Sequence, residues 1–470
     1  MKNLFVILFI FSWMTISCDR LIKVESYKNE IEQYDKQFID FKIDKSFENP
    51  YDQTEVKVDA KIYSPSKEMV ILPCFNIDID KKLWQARFTP RDTGVYSFEI
   101  VCSYKKVLHT SNKFIFRVKQ GSKNGFLNID SSDNYFLRFD NNKKFRGVGL
   151  NVGWEFEPKW DSKSKYTFKM FFDEMALNNA NTVLTWVCPW NFPIEWSPVK
   201  EYKIFVDEFT DFSKIYRYSD GFAINTKNST VTQNDTGQLL IKKLSDQYII
   251  YKLDTIIKSK IMIYYRENLF IDDIEIFYSM DDQLYTKCKT YFSDKCNLSD
   301  NWKRIFLFTE EIPTKNAKYL KIVFRNGIKP ENIKIAGIQI NYGEAIKTLD
   351  CGGLAKYSVK NSQKIDEFIN LAEEKGIYII LTLGYHGQFN PVMDAWGAND
   401  EWQRNPYNVK NGGPCEQPAD FFKNDKAKTY YKNYLRYFVA RWGYSTAILA
   451  WEFWNEIDIA MRSQNIPESD

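Results

Sequence analysis

Apolar and polar positions follow three rhythms along these 470 residues. From Phe38 to about Val118 they alternate, as in Val56, Val58, Ala60 and Ile62 or Val95 to Ile100, with turn residues between the runs. Alternation of this kind predicts half-buried strands packed as a small β-sandwich. From Phe145 the rhythm changes to short, largely apolar runs: Asn181–Val187, Ile377–Leu383 and Ala447–Phe453. Such runs read as parallel strands buried on both faces. Helical stripes lie between them: Phe168, Phe171, Phe172 and Met175; then Ile365, Phe368, Ile369 and Ala372, stopped by Gly376; then Tyr431, Tyr434, Leu435, Phe438, Val439 and Trp442, closed by Gly443. Strand–helix alternation predicts a parallel sheet covered by helices. It is interrupted from about Glu201 to Glu344, where short strands return at Ile261–Tyr265, Ile274–Ser279, Tyr319–Phe324 and Ile333–Ile340. The predicted order is a polar spacer over 19–36, a sandwich over 37–120, and an α/β part over 121–200 and 345–470 that is split by a second sandwich over 201–344.

Length allows about three domains at ~100–200 residues each. The 64 basic and 61 acidic residues nearly cancel, so no polyanionic partner is expected, and no Lys/Arg run is dense enough for a nucleic-acid stripe. Ten of the 13 tryptophans fall within 145–200 and 346–470. That marks those segments as one unit, and indole faces suit the C–H faces of sugars.

Residues 1–17 carry Lys2, a charge-free run from Leu4 to Trp13, then small and polar residues. This is the plan of a secretory signal, too short for a membrane span. Thr15-Ile16-Ser17-Cys18 resembles a bacterial lipobox, which implies a lipid on Cys18 and an exported, membrane-anchored lipoprotein. Export permits disulfides, and Cys288 with Cys296 is the pair close enough for a local staple.

The chemistry concentrates at the end of the last apolar run, where Trp454-Asn455-Glu456 follows a buried strand. In a parallel barrel that end is the catalytic face. A carboxylate on a strand tip among aromatic residues is expected to be poorly solvated and to hold its proton, as a general acid must. Trp454-Asn455-Glu456, with Asn405-Pro406-Tyr407-Asn408, Gly412-Gly413-Pro414-Cys415, Leu435-Arg436-Tyr437 and Ala440-Arg441-Trp442-Gly443-Tyr444, resembles the clan A glycoside hydrolases, the cellulase- and mannanase-like retaining enzymes. The resemblance spans most of residues 31–470. It implies a (β/α)8 TIM barrel, Glu456 as acid/base, Asn455 on the sugar 2-hydroxyl, and His386, just past the third strand, bonded to sugar or carboxylate. Trp154, Trp186, Trp190 and Trp454 would be further substrate contacts, and the long loop Gln388–Pro418 would shape a subsite.

Asn49-Pro50-Tyr51, Trp84 to Pro90 and Thr93-Gly94 resemble the immunoglobulin-like domain often found ahead of such barrels. Ile276 to Asp282 with Ala317 to Ile322 resembles the discoidin-like, galactose-binding-like carbohydrate modules. The family's nucleophile is a Glu ending strand seven, whereas this chain ends about fourteen residues after strand four. Four βα units cannot close a barrel. The expectation is therefore a multidomain protein with a partial barrel: the front part of a retaining β-glycan hydrolase, inactive alone. A surface lipoprotein that captures glycans through its inserted module, without catalysis, is the alternative. Glu452, roughly 13 Å back along the strand, cannot replace the nucleophile. A buried charge paired inside the barrel, for example with Arg146, is its expected part.

Other chemistries find little support. Gly147-x-Gly149 followed by Gly153 has the wrong spacing for a dinucleotide loop. No Gly-x-Ser-x-Gly elbow or Gly-Lys-Ser/Thr loop occurs. With two histidines, His109 and His386, in different predicted domains, no His-based metal site and no cofactor is expected. His109 reads as an ordinary surface side chain.

Overall fold

The computed structural model describes residues 21–470 except 157–165, 197–198, 227–236, 350–351, 395–398 and 464–470. The secretory and lipidation expectation, Cys18 included, lies outside the described residues, as do Trp160 and Trp396. The molecule is mostly β-sheet with few helices, multidomain and sandwich-like. It divides into two compact units, residues 1–146 with 433–446, and 147–432 with 447–470.

In the first unit two sheets face each other. One runs in the order Ile22–Ser26, Gln37–Ile43, Leu83–Phe88, Phe75–Asp78; the other is built on Gly94–Tyr104 and Val56–Tyr63. Their alternating inward residues, among them Phe41, Val58, Ala60, Trp84, Phe98 and Phe116, make one core. The spacer expected over 19–36 is overturned. Ile22–Ser26 pairs with Gln37–Ile43, and Glu30–Glu32 pairs with Phe114–Lys119, because Ile22 and Ile31 are apolar enough to be buried as strand residues. His109 pairs opposite Cys102 on a hairpin. Residues 127–145, expected to open the α/β part, form instead a small antiparallel sheet counted with this unit.

Asn433–Thr446 also belongs to this unit. Arg436 bonds the Val58 carbonyl at 2.9 Å and pairs with Asp59. Arg87 donates to the Arg441 carbonyl at 3.1 Å. Tyr437 meets Tyr51 edge-on, and Tyr444 meets Phe38 in the same way.

The second unit holds a four-stranded parallel sheet in sequence order: Gly149–Asn151, Thr182–Trp186, Tyr378–Thr382 and Ile448–Glu452. Its helices start and stop where the sequence provides caps. Thr167 caps Phe168–Leu177, Ser358 caps Val359–Lys375, and Gly376 ends the latter at φ +68°. In place of the expected partial barrel, the described residues contain this open four-stranded sheet. Both of its edges show apolar side chains: Val148 is 62% and Leu150 53% exposed, Phe453 58%.

Between the second and third parallel strands lies a sandwich of an eight-stranded and a five-stranded antiparallel sheet. Ile249, Tyr251, Ile261, Ile276, Leu320, Ile322 and Ile338 fill its core. The expected staple is absent: Cys288 is buried as a free thiol and Cys296 is free on a neighbouring strand. The chain leaving for this sandwich and the chain returning from it are tied together. Ser358 N–H donates to the Ile194 carbonyl at 2.9 Å, Asn361 to that of Pro193 at 3.0 Å, and Ala355 N–H to the Glu195 carboxyl at 2.6 Å. Among the described residues no helix is long and apolar enough to cross a membrane.

Candidate functional site

The parallel register sets neighbouring strand ends side by side, so side chains far apart in sequence form a row across the C-terminal edge of the sheet. Trp154 follows the first strand, Trp186 ends the second, and Tyr385 follows the third. Trp154 and Trp186 are 5.3 Å apart between ring centroids, Trp186 stacks on Tyr385 at 5.9 Å, and Trp190 meets Trp154 at 5.5 Å and Tyr385 at 5.0 Å. Asn191 pins the turn that carries Trp190 by donating to the carbonyls of Gly153 and Trp186, at 3.2 and 3.0 Å. Trp190 is 43% exposed, so the cluster presents a ring to solvent. On its other side a groove of about 780 Å³ is lined by Glu155, Asn191, Lys364 and Glu367.

The third and fourth strands stay paired beyond their regular ends. Asn455 N–H donates to the Gly384 carbonyl at 3.0 Å, and His386 N–H to the Asn455 carbonyl at 3.1 Å. A side chain at Gly384 would meet the Trp454 ring at 2.5 Å, so this approach needs a glycine. The pairing sets Glu456 beside His386, with Oε2 3.4 Å from Nδ1. That distance is an ion-pair contact; the angles do not make a hydrogen bond, and Nδ1 is buried without a partner. Burial lowers the His386 pKa below its usual value, against the opposing pull of Glu456, Asp394 and Asp458. A neutral imidazole with an open nitrogen beside a carboxylate can receive a hydroxyl. Asn455 is tied into this pairing by its backbone, and its side-chain amide has no hydrogen-bond partner among the described residues.

Glu456 itself has φ +54°, the left-handed region that non-glycine residues avoid at a cost of about 1–3 kcal/mol. Its side chain is 53% exposed. The expectation of a carboxylate enclosed by aromatic residues is therefore not met, because its strand is the edge of an open sheet and its neighbours Trp451 and Phe453 also face solvent.

Trp454 does not join the row. It stacks on Tyr431 at 5.0 Å and packs with Phe389, Phe421 and Phe422, anchoring the loop after the third strand. In that loop Trp402 and Asn408 are buried too, and Asn408 donates to the Trp402 carbonyl at 2.9 Å, so they shape the loop from within. Glu452 lies deeper, accepting from Thr382 at 2.5 Å; Arg146 is exposed and lies over Phe136. The inserted sandwich reaches this region, since Asp294 N–H donates to the Met393 carbonyl at 3.0 Å.

Three groups escaped the sequence reading. Tyr385 is fully buried and joins the tryptophans to His386; its place two residues past an apolar strand was the available signal. Glu401 is buried beside Tyr385 and paired with Arg404, and burial raises its pKa. Glu195 is 8% exposed, and burial pushes its carboxyl up to about 8. Among the described residues no group of three or more His, Cys, Asp or Glu could hold a metal ion.

The likenesses to known proteins are partial. A family model described as a domain of unknown function (DUF5060) matches residues 30–103. No curated protein matches the chain. A candidate glycoside hydrolase from Bacteroides vulgatus ATCC 8482 is similar over 92% of this chain and 50% of its own, at 12% identity and a TM-score of 0.41. The chain thus spans about half the length of that protein. The catalytic domain of a GH87 alpha-1,3-glucanase in complex with tetrasaccharides is similar over 40% of this chain and 38% of its own, at 11% identity and TM-score 0.24. The Lin-41 filamin domain is similar over 22% of this chain and 97% of its own, at 12% identity and TM-score 0.17. Similarity at this level carries no argument about activity.

Proposed function

We propose that the chain carries the acid/base side of a retaining glycoside hydrolase site for β-linked polysaccharide. The observation behind this is the row Trp154, Trp186, Trp190, Tyr385, His386 and Glu456 across four consecutive parallel strand ends: rings for sugar faces, then an open imidazole nitrogen, then a carboxylate. In this reading Glu456 protonates the leaving oxygen and later deprotonates water, His386 positions its carboxylate, and Asn455 bonds the 2-hydroxyl. The open sheet is read as the first half of a (β/α)8 barrel. Support comes from its sequential order and from the apolar side chains on both edges, where further strands would pair. No residue of the chain is assigned the nucleophile's role, so the chain alone is expected to hold β-glycan without cleaving it. The two sandwiches are read as immunoglobulin-like and as a galactose-binding-like carbohydrate module, and the protein as an exported lipoprotein tethered through Cys18.

The test is tryptophan fluorescence titration with soluble β-linked oligosaccharides, alongside a reducing-end assay. Binding that weakens about tenfold in Trp190→Ala and His386→Ala supports the site. Hydrolysis by the 470-residue chain, lost on Glu456→Gln, would overturn the division of roles. The rival, a glycan-capturing lipoprotein without catalysis, is favoured by the exposure of Glu456. It predicts binding unchanged in Glu456→Ala and in the ring variants.

A further inference from the structure

The five-stranded sheet of the inserted sandwich has an outer face that the core does not use. Ile249, Tyr251, Leu320, Ile322, Ile274 and Ile276 point to the core, so alternation puts Tyr248, Ile250, Lys252, Tyr319, Lys321, Glu275 and Phe277 on the other side. Ile250 lies on that side, paired between Lys321 and Arg217, and is 1% exposed.

The tyrosines and lysines of this face have an unusual order. Lys252 Nζ lies 5.2 Å from the Tyr216 centroid and 5.5 Å from that of Tyr319. Lys321 Nζ lies 4.9 Å from Tyr248 and 5.3 Å from Tyr285. Neither ammonium has a carboxylate within ion-pair distance among the described residues. Elsewhere on the same sheet cations are paired: Arg325 with Asp246 and Glu275, Lys287 with Glu275. Tyr285 is fixed in place, its hydroxyl bonded to Asp282, which also accepts from Arg217 at 2.7 Å. Lys252 stands opposite Tyr319 and Lys321 opposite Ile250, which makes the two lysines diagonal neighbours with Cα atoms about 7–8 Å apart.

We propose that this face binds an acidic polysaccharide, one bearing carboxylate or sulfate groups. The rings take the C–H faces of the sugars, and Lys252 and Lys321 take the anions. Ring faces stabilise an ammonium but leave its outward N–H donors open, which is what an anion needs. The proposal rests on reading the inserted sandwich as a glycan-binding body, and not on the chemistry at Glu456.

The test is affinity electrophoresis of the full chain through gels containing polygalacturonate, dextran sulfate or neutral dextran, at low and high salt. Retardation by an acidic polymer and not by dextran is expected, weakening with salt. Polygalacturonate and dextran sulfate distinguish carboxylate from sulfate as the anion. The double variant Lys252→Gln, Lys321→Gln should lose at least tenfold in affinity with its melting temperature unchanged, whereas Lys258→Gln, at an exposed position on the eight-stranded sheet of the same sandwich, should bind as the parent does. Equal binding by the double variant would overturn the proposal. So would an equal loss on Lys258→Gln, or capture by phosphatidylserine vesicles without capture by either acidic polymer.

Discussion

Replacing Glu195 with Gln should change how the stability of this protein depends on pH. Glu195 is 8% exposed and sits where the chain leaves for the inserted sandwich; one carboxyl oxygen accepts from Ala355 N–H at 2.6 Å and the other meets the Tyr407 hydroxyl at 3.0 Å. Two neutral partners do not offset the loss of water around a charge, so the pKa rises from 4.5 to about 8. The folded state then keeps a proton that the unfolded chain releases. Stability contributed by this group is whole below pH 4.5, falls as pH rises, and levels off above about 8. The shift is 8 − 4.5 = 3.5, which at about 1.4 kcal/mol per pH unit is roughly 5 kcal/mol across the window and roughly 3 kcal/mol by pH 7. Gln keeps the shape, accepts from Ala355 and donates to Tyr407, but cannot ionise. Urea unfolding followed by tryptophan fluorescence should give similar stabilities at pH 5 for parent and Glu195→Gln. At pH 9 the variant should be the more stable by several kcal/mol. Parallel stability curves across pH 5–9 would refute the argument, because they would mean that Glu195 is solvated or paired when folded.

Glu456→Gly should raise stability by about 1 kcal/mol by releasing the left-handed backbone, while weakening glycan binding at the strand-end row; thermal melts and titration check both. His386 should titrate below 6.5 by NMR, and still lower in Glu456→Gln, since the carboxylate is the largest opposing influence; a rise would contradict the 3.4 Å pairing. Because its folded pKa is depressed, His386 should support stability fully above pH 6.5 and lose that support as pH falls through the lowered value. Arg436→Met should cost about 3 kcal/mol in chemical unfolding, because it leaves the partly buried Asp59 with Lys57 at 3.6 Å as its remaining cation.

The rhythm of apolar residues was enough to place the local elements. Phe168, Phe172 and Met175 are the buried stripe of one helix, and Ile365, Phe368, Ile369 and Ala372 belong to that of the next. Gly376 stops its helix because only the left-handed conformation turns the chain there. The inserted run of strands was legible because a period of two is a local property. Residues 22–32 were misread as spacer, since their burial comes from pairing with strands tens of residues away, and charged outward positions hide the pattern.

What the tertiary structure alone decided is which side chains share the edge of the sheet. Sequence marked four tryptophans as equal candidates, yet packing sends Trp454 into the loop core and leaves Trp154, Trp186 and Trp190 in the row, completed by the unforeseen Tyr385. Sequence left His386 with sugar or a catalytic carboxylate as partner; the parallel register of the third and fourth strands sets it 3.4 Å from Glu456. The exposure of Glu456 and the buried state of Glu195 likewise depend on what surrounds each carboxyl in space. Local pattern fixes the period of an element because it is written in neighbouring residues. Proximity between strand ends and the loss of water around a charge depend on segments far away in the chain, and so they emerge only once it has folded.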